Sequence, residues 1–147
     1  MQDIALSNST LRAWNRLAQA HRHIEGGIER DLKSAGLPPL ACHGVLHLLL
    51  ETPGRRLRPA GVEKALGMAQ YTLSRLLDRM DVLKLVHRIP CAEDARGQWL
   101  VPGIDGVATC DKMQAIVAQA LKTHIEDKLP GDSAKKLAKL LGKVLAE

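Results

Sequence analysis

From Asn8 onward, Leu11, Trp14, Leu17, Ala18, His21, Ile24, Ile28 and Leu32 recur at spacings of three and four. This is the stripe of an amphipathic helix. Asn8, Ser9 and Thr10 offer N-caps for it, and Gly36, followed by Pro38 and Pro39, ends it near Ser34. Gly26 and Gly27 fall inside the stripe. Each costs a helix roughly 1 kcal/mol relative to alanine, so a kink or a close helix crossing is expected there. A second helix is predicted over Leu40 to Glu51, closed by Pro53 and Gly54. A short third follows from Arg58 to Leu66, with Pro59 in its first turn. Gly67 breaks it, and a fourth runs from Gln70 to Leu83 with Leu73, Leu76, Leu77 and Met80 on one face.

The period then changes. Leu85 to Ile89 and Gln98 to Val101 read as two short strands, joined by a polar loop from Pro90 to Gly97. One long helix is predicted from Gly106 to Lys128, carrying Val107, Met113, Ile116, Val117, Ala120, Leu121 and Ile125. After a turn at Pro130, Gly131 and Asp132, a last helix capped by Asp132 or Ser133 sets Leu137, Leu140, Leu141, Val144 and Leu145 on one face. Its other face is lysine: Lys135, Lys136, Lys139 and Lys143. At 147 residues the chain is about one domain long. With no Phe, one Tyr and two Trp, its core must be aliphatic, which suits helix packing. The predicted class is mainly α with a small β element (α+β).

Charge sharpens the picture. The net charge is +5, and between Arg55 and Arg96 nine Lys and Arg face five Asp and Glu. Such a stretch suits a polyanion, of which nucleic acid is the commonest. Cys42, Cys91 and Cys110 lack metal-type spacing and read as reduced thiols in a cytoplasmic protein without a signal peptide. The most apolar run, Val45 to Leu50, is too short to span a bilayer. There is no Ser/His/Asp arrangement, carboxylate pair or phosphate-cradling glycine loop, so an enzyme is not expected.

The informative unit is helix, Gly67 turn, helix, hairpin. In helix-turn-helix proteins the second helix enters the major groove, and its N-terminal residues meet base edges. Here those are Gln70, Tyr71 and Thr72, with Ser74 and Arg75 one turn on. Gln pairs with adenine and Arg with guanine through two hydrogen bonds each. Ala69, just before this helix, has no oxygen with which to cap it. The hairpin adds Arg88, Asp94 and Arg96. An arginine on a thin β-loop fits the electronegative minor groove, and Asp94 is expected to hold the loop or the Arg96 side chain through hydrogen bonds.

The run from Gly67 through Tyr71, Arg75 and Asp78 to Met80 resembles the recognition helix of the MarR (multiple antibiotic resistance regulator) family. Arg88, Pro90 and the Asp94-Ala95-Arg96-Gly97 run resemble that family's wing, with its Asp-x-Arg signature. The resemblance implies a winged helix-turn-helix with N- and C-terminal dimerisation helices. Residues 1–35 would form the first dimerisation helix, 36–103 the DNA-binding region and 104–147 the last dimerisation helices, all in one chain. It further implies a homodimer on a pseudo-palindromic operator in double-stranded DNA, acting as a repressor released by a small-molecule effector. The expected DNA-contacting set is Arg58, Gln70, Tyr71, Thr72, Ser74, Arg75, Arg79, Arg88, Asp94 and Arg96. The expected dimer interface holds Leu11, Trp14, Leu121, Ile125, Leu137, Leu140, Leu141 and Val144. An effector site would lie among Trp14, His21, Ile24, His43, His47 and Tyr71.

Of these, His43 and His47 share a helix face at a spacing suited to a metal. His124 has no histidine one turn away, so a packed or exposed pair outweighs zinc, and no metal or cofactor is expected. Cys42 reads as a small buried hydrophobe. Cys91, in the wing loop, is expected to be more exposed, which leaves a thiol-based redox regulator as one alternative. A winged-helix adaptor that binds protein without operator recognition is the other. The Lys-rich last helix fits a dimer interface better than a membrane surface.

Overall fold

The computed structural model describes residues 3–147. Helix α1 spans Asn8–Ser34, α2 Leu40–Glu51, α3 Pro59–Leu66 and α4 Gln70–Val82. Strands β1 (Val86–Cys91) and β2 (Asp94–Pro102) form an antiparallel hairpin, followed by α5 (Gly106–Leu121) and α6 (Ser133–Val144). The fold is the winged helix-turn-helix expected from the sequence.

Two compact units divide the chain: Leu32–Ile116, and the two ends up to Asp31 and from Val117. The central unit has an aliphatic core. Val45, Leu46 and Leu49 of α2, Val62 of α3, and Leu73, Leu77 and Met80 of α4 are fully buried with Val86, Leu100 and Met113. The α3–α4 turn is made by Gly67, whose φ of 63° is left-handed and whose N–H continues to the Glu63 carbonyl. A side chain there is strained by roughly 1–2 kcal/mol. Gly67→Ala is therefore expected to lower stability by about 1 kcal/mol, read as a lower denaturant midpoint at unchanged slope.

The wing departs from expectation. β1 continues through Pro90 to Cys91 and β2 begins at Asp94, so the open loop shrinks to Ala92 and Glu93. Register explains it. Pro90 pairs with Gln98 but Cys91 pairs with Asp94, leaving residues 95–97 as a bulge on β2. Such a bulge bends its strand and re-aims side chains. Leu57 adds a one-residue third strand, exchanging both backbone hydrogen bonds with Leu100 at 3.1 and 2.7 Å.

In the unit of the chain ends, α1 passes through Gly26 and Gly27 without a break. The close crossing is realised instead: a Cβ on Gly27 would stand 2.8 Å from Nε2 of His124. Its cap is not Asn8, Ser9 or Thr10 but Ser7, whose Oγ accepts the Thr10 N–H at 3.1 Å. The long helix expected to reach Lys128 ends as α-helix at Leu121, and Lys122–Glu126 form a π-helical turn. Asp132 flanks α6 without capping it, its carboxylate facing Lys136 at 3.4 Å. This unit leaves much apolar surface open. None of α6 is buried, Leu140 and Val144 are 58% and 76% exposed, and Trp14 of α1 is 68% exposed.

Candidate nucleic-acid interface

Helix α4 buries Leu73, Leu76, Leu77 and Met80, so the 3.6-residue period turns Gln70, Tyr71, Thr72, Ser74, Arg75 and Arg79 outward. Ala69 takes the N-cap position with extended backbone and no side-chain cap bond. The aromatic ring of Tyr71 lies under the Arg75 guanidinium, 5.6 Å from its centroid, and the Tyr71 hydroxyl accepts from Arg75 Nη1 at 3.5 Å. Arg75 is thus held along the helix face in the free protein. Two grooves flank α4. One, about 450 Å³, is lined by Gln70, Ser74, Arg88 and Gln98. The other, about 420 Å³, runs between Pro39 and Ala41 of the α2 start and Tyr71 and Arg75.

The hairpin is fastened to this helix by charge-assisted bonds. Arg88 of β1 donates to the Asp78 carboxylate at 2.8 Å and to the Ser74 carbonyl at 3.4 Å. Asp94 accepts the Arg96 backbone N–H at 3.0 Å, and its other oxygen faces Arg58 at 3.8 Å. The Arg96 side chain is exposed. Of the ten residues expected at DNA, Arg58, Arg88 and Asp94 therefore spend their polar atoms on the protein itself. The other seven project from α4 and the wing bulge of one unit.

Sequence reasoning missed Arg56 and Trp99. Both Arg56 and Arg58 lay their guanidinium carbons over the Trp99 indole, at 4.5 and 4.7 Å. The available signal was Leu57, one apolar residue set among Arg55, Arg56 and Arg58.

The thiols bring a correction. Cys91 is not exposed: it is buried at the end of β1, where the Arg58 side chain covers it and donates from Nη2 to Sγ at 3.2 Å. Cys42 and Cys110 are buried as well. Burial, then the nearby Asp111 and Glu51 carboxylates, pushes the Cys110 thiol up, away from the reactive thiolate.

The residues named for an effector fall in both units. Trp14, His21 and Ile24 lie on α1, where His21 pairs with Glu25 at 2.6 Å on an exposed face. In the central unit His43 stacks on His47 at 5.6 Å and meets Gln114 Oε1 through Nε2 at 2.7 Å. Among the described residues no three His, Cys, Asp or Glu gather as a metal site, and no helix is long and apolar enough to cross a membrane. Of the residues named for a dimer interface, Leu11, Trp14, Leu121, Leu137, Leu140 and Val144 are exposed, and Ile125 and Leu141 are half-buried.

Known proteins share this fold. The profile of the MarR family matches residues 35–97. The multiple antibiotic resistance protein MarR of Escherichia coli (strain K12) is 32% identical over 87 residues, 59% of this chain and 60% of that protein, so the match spans under two thirds of the relative's length. AbsC, a MarR family transcriptional regulator from Streptomyces coelicolor, superposes with a TM-score of 0.87 at 26% identity, over 98% of this chain and 97% of its own. Sco3205, a MarR family transcriptional regulator of the same organism solved in complex with DNA, gives 0.89 at 24% identity, over 99% and 91%. At that identity the second likeness speaks for the fold.

Proposed function

We propose that this chain is a member of the MarR family and a dimeric, cytoplasmic, sequence-specific DNA-binding regulator of transcription, a reading supported by the family match over residues 35–97 and the 32% identity to MarR. The observation that carries this reading is the exposed row of Gln70, Tyr71, Thr72, Ser74, Arg75 and Arg79 on α4, with an exposed Arg96 on a wing that Arg88 fastens to the same helix. In this reading α4 enters the major groove, where Gln70 and Arg75 meet base edges, and Arg96 reaches the adjacent minor groove. Arg88 and Asp94 support those contacts from behind.

The ends of the chain serve as the dimerisation part, which accounts for the open apolar faces of α1 and α6. A twofold pair of central units would then meet half-sites about 34 Å apart on a pseudo-palindromic operator. Repression follows where the operator overlaps a promoter. A small-molecule effector would release it by binding the central unit, at His43 and His47 or beside Tyr71. The groove beside Tyr71 supports one route: a ligand lodged there would compete with DNA for Arg75.

Selection of bound fragments from the source genome tests the proposal. Enrichment of an inverted repeat is expected, and its affinity should fall with salt at a slope of about −0.9 per phosphate contacted. No enrichment, with a salt-insensitive protein partner instead, would favour the adaptor reading.

A further inference from the structure

Three short strands carry side chains on two faces, and their register decides which groups meet. Leu57 lies directly opposite Leu100, so the two share a face, and on that face Leu100 is fully buried while Leu57 is half-buried. Side chains alternate along each strand. The next pair along, Arg58 and Trp99, therefore shares the outer face, and Arg56 reaches the same indole diagonally. Cys91 also lies on that face, two residues beyond Ile89, the ladder partner of Trp99.

Arg58 does more than stack. From the N-cap position of α3 its guanidinium covers Trp99, donates to Cys91 Sγ at the end of β1, and faces Asp94 Oδ2 at the start of the bulge. It also fills the space over Gly97, where an added Cβ would collide with Nη1. One side chain thus touches both strands and both ends of the 95–97 bulge. Asp94 passes the constraint on, since its second oxygen holds the Arg96 backbone N–H.

Resting on the DNA-binding reading above, we propose that Arg58 is a positioning residue: it clamps the wing bulge so that Arg96 is presented to DNA, and does not itself contact phosphate. An exposed ion pair alone would be too weak for this role. The planar fork supplies what the charge does not, because it stacks on an indole and donates in two fixed directions at once, which a lysine ammonium cannot do.

The test compares Arg58→Ala, Arg58→Lys, Gly97→Ala, Arg96→Ala and the Arg58→Ala/Arg96→Ala pair on an operator fragment selected by the wild-type chain. A clamp predicts that the Arg58 and Gly97 variants each lose on the order of tenfold in affinity, as Arg96→Ala does. Lysine should not rescue, and the double variant should bind no more weakly than Arg96→Ala alone. A phosphate contact predicts the opposite: Arg58→Lys near wild type, Arg58→Ala reducing the salt slope by about 1, and additive losses in the pair. That pattern would overturn the proposal. A second readout needs no DNA. Cys91 should be protected from a neutral disulfide reagent in the wild type and react in Arg58→Ala and Arg58→Lys, with Cys91→Ser removing the signal. A thiol equally protected in all three would overturn the clamp. A wild-type chain that binds no duplex would instead fail the regulator reading, and the thiol result tells the two failures apart.

Discussion

Leu140→Glu is expected to turn the protein into a monomer in light scattering at micromolar concentration and to cut operator affinity by about 10²–10⁴-fold. The reasoning starts from α6. Leu137, Leu140 and Val144 stand on one face of a helix with no buried residue, opposite Lys135, Lys136, Lys139 and Lys143. A helix so patterned gains its stability by packing that face on another. Burying one leucine contributes about 1.5–3 kcal/mol, and a twofold interface counts each change twice. A carboxylate at position 140 must instead be desolvated against apolar side chains in both subunits. Within the chain Leu140 is mostly open, so the substitution should leave helix content near wild type. The loss at DNA then comes from linkage alone: a monomer engages one half-site, without the effective concentration that the second contact supplies. A Leu140→Glu protein that remains dimeric would remove this interface.

What could be read from the chain followed from how local its causes are. Helix α2 matches the predicted Leu40 to Glu51 because prolines bracket it and set both ends. The outward face of α4 was legible for the same reason, since four buried side chains within one helix fix its rotation. The misreadings have non-local causes. At Gly27 the sequence left a kink and a close helix crossing equally open, and what decides for the crossing is His124, nearly a hundred residues away. The apolar stripe of the fifth helix continues to Ile125, so periodicity alone could not disclose the inserted π-helical turn at Lys122–Glu126. Cys91 sits in a polar stretch that reads as exposed loop, and its burial depends on Arg58, thirty-three residues earlier. The same pairing of Leu57 with Leu100 converts Arg58 from a free cation in the sequence into part of the wing.

Arg75→Ala is expected to weaken operator binding by about 1–3 kcal/mol for each half-site, and to relax preference at one base pair in each. Two half-sites bring the loss to roughly 2–6 kcal/mol, or about 30-fold to more than 10⁴-fold. Arg75 lies one turn into α4, on the exposed face and beyond the buried Leu73, where a recognition helix meets base edges. Its contact with Tyr71 sharpens the expectation. A guanidinium already resting over the ring and bonded to the hydroxyl loses less side-chain freedom when it docks. Tyr71→Phe keeps the ring and removes the hydroxyl, so it should cost less than Arg75→Ala and leave base preference intact. Arg75→Lys keeps the charge without the planar fork, so it should recover phosphate attraction and salt slope but not discrimination. Binding measured on the selected operator and on a series of single-base variants separates these outcomes. An Arg75→Ala protein whose affinities fall equally on every sequence would place this arginine at the DNA backbone.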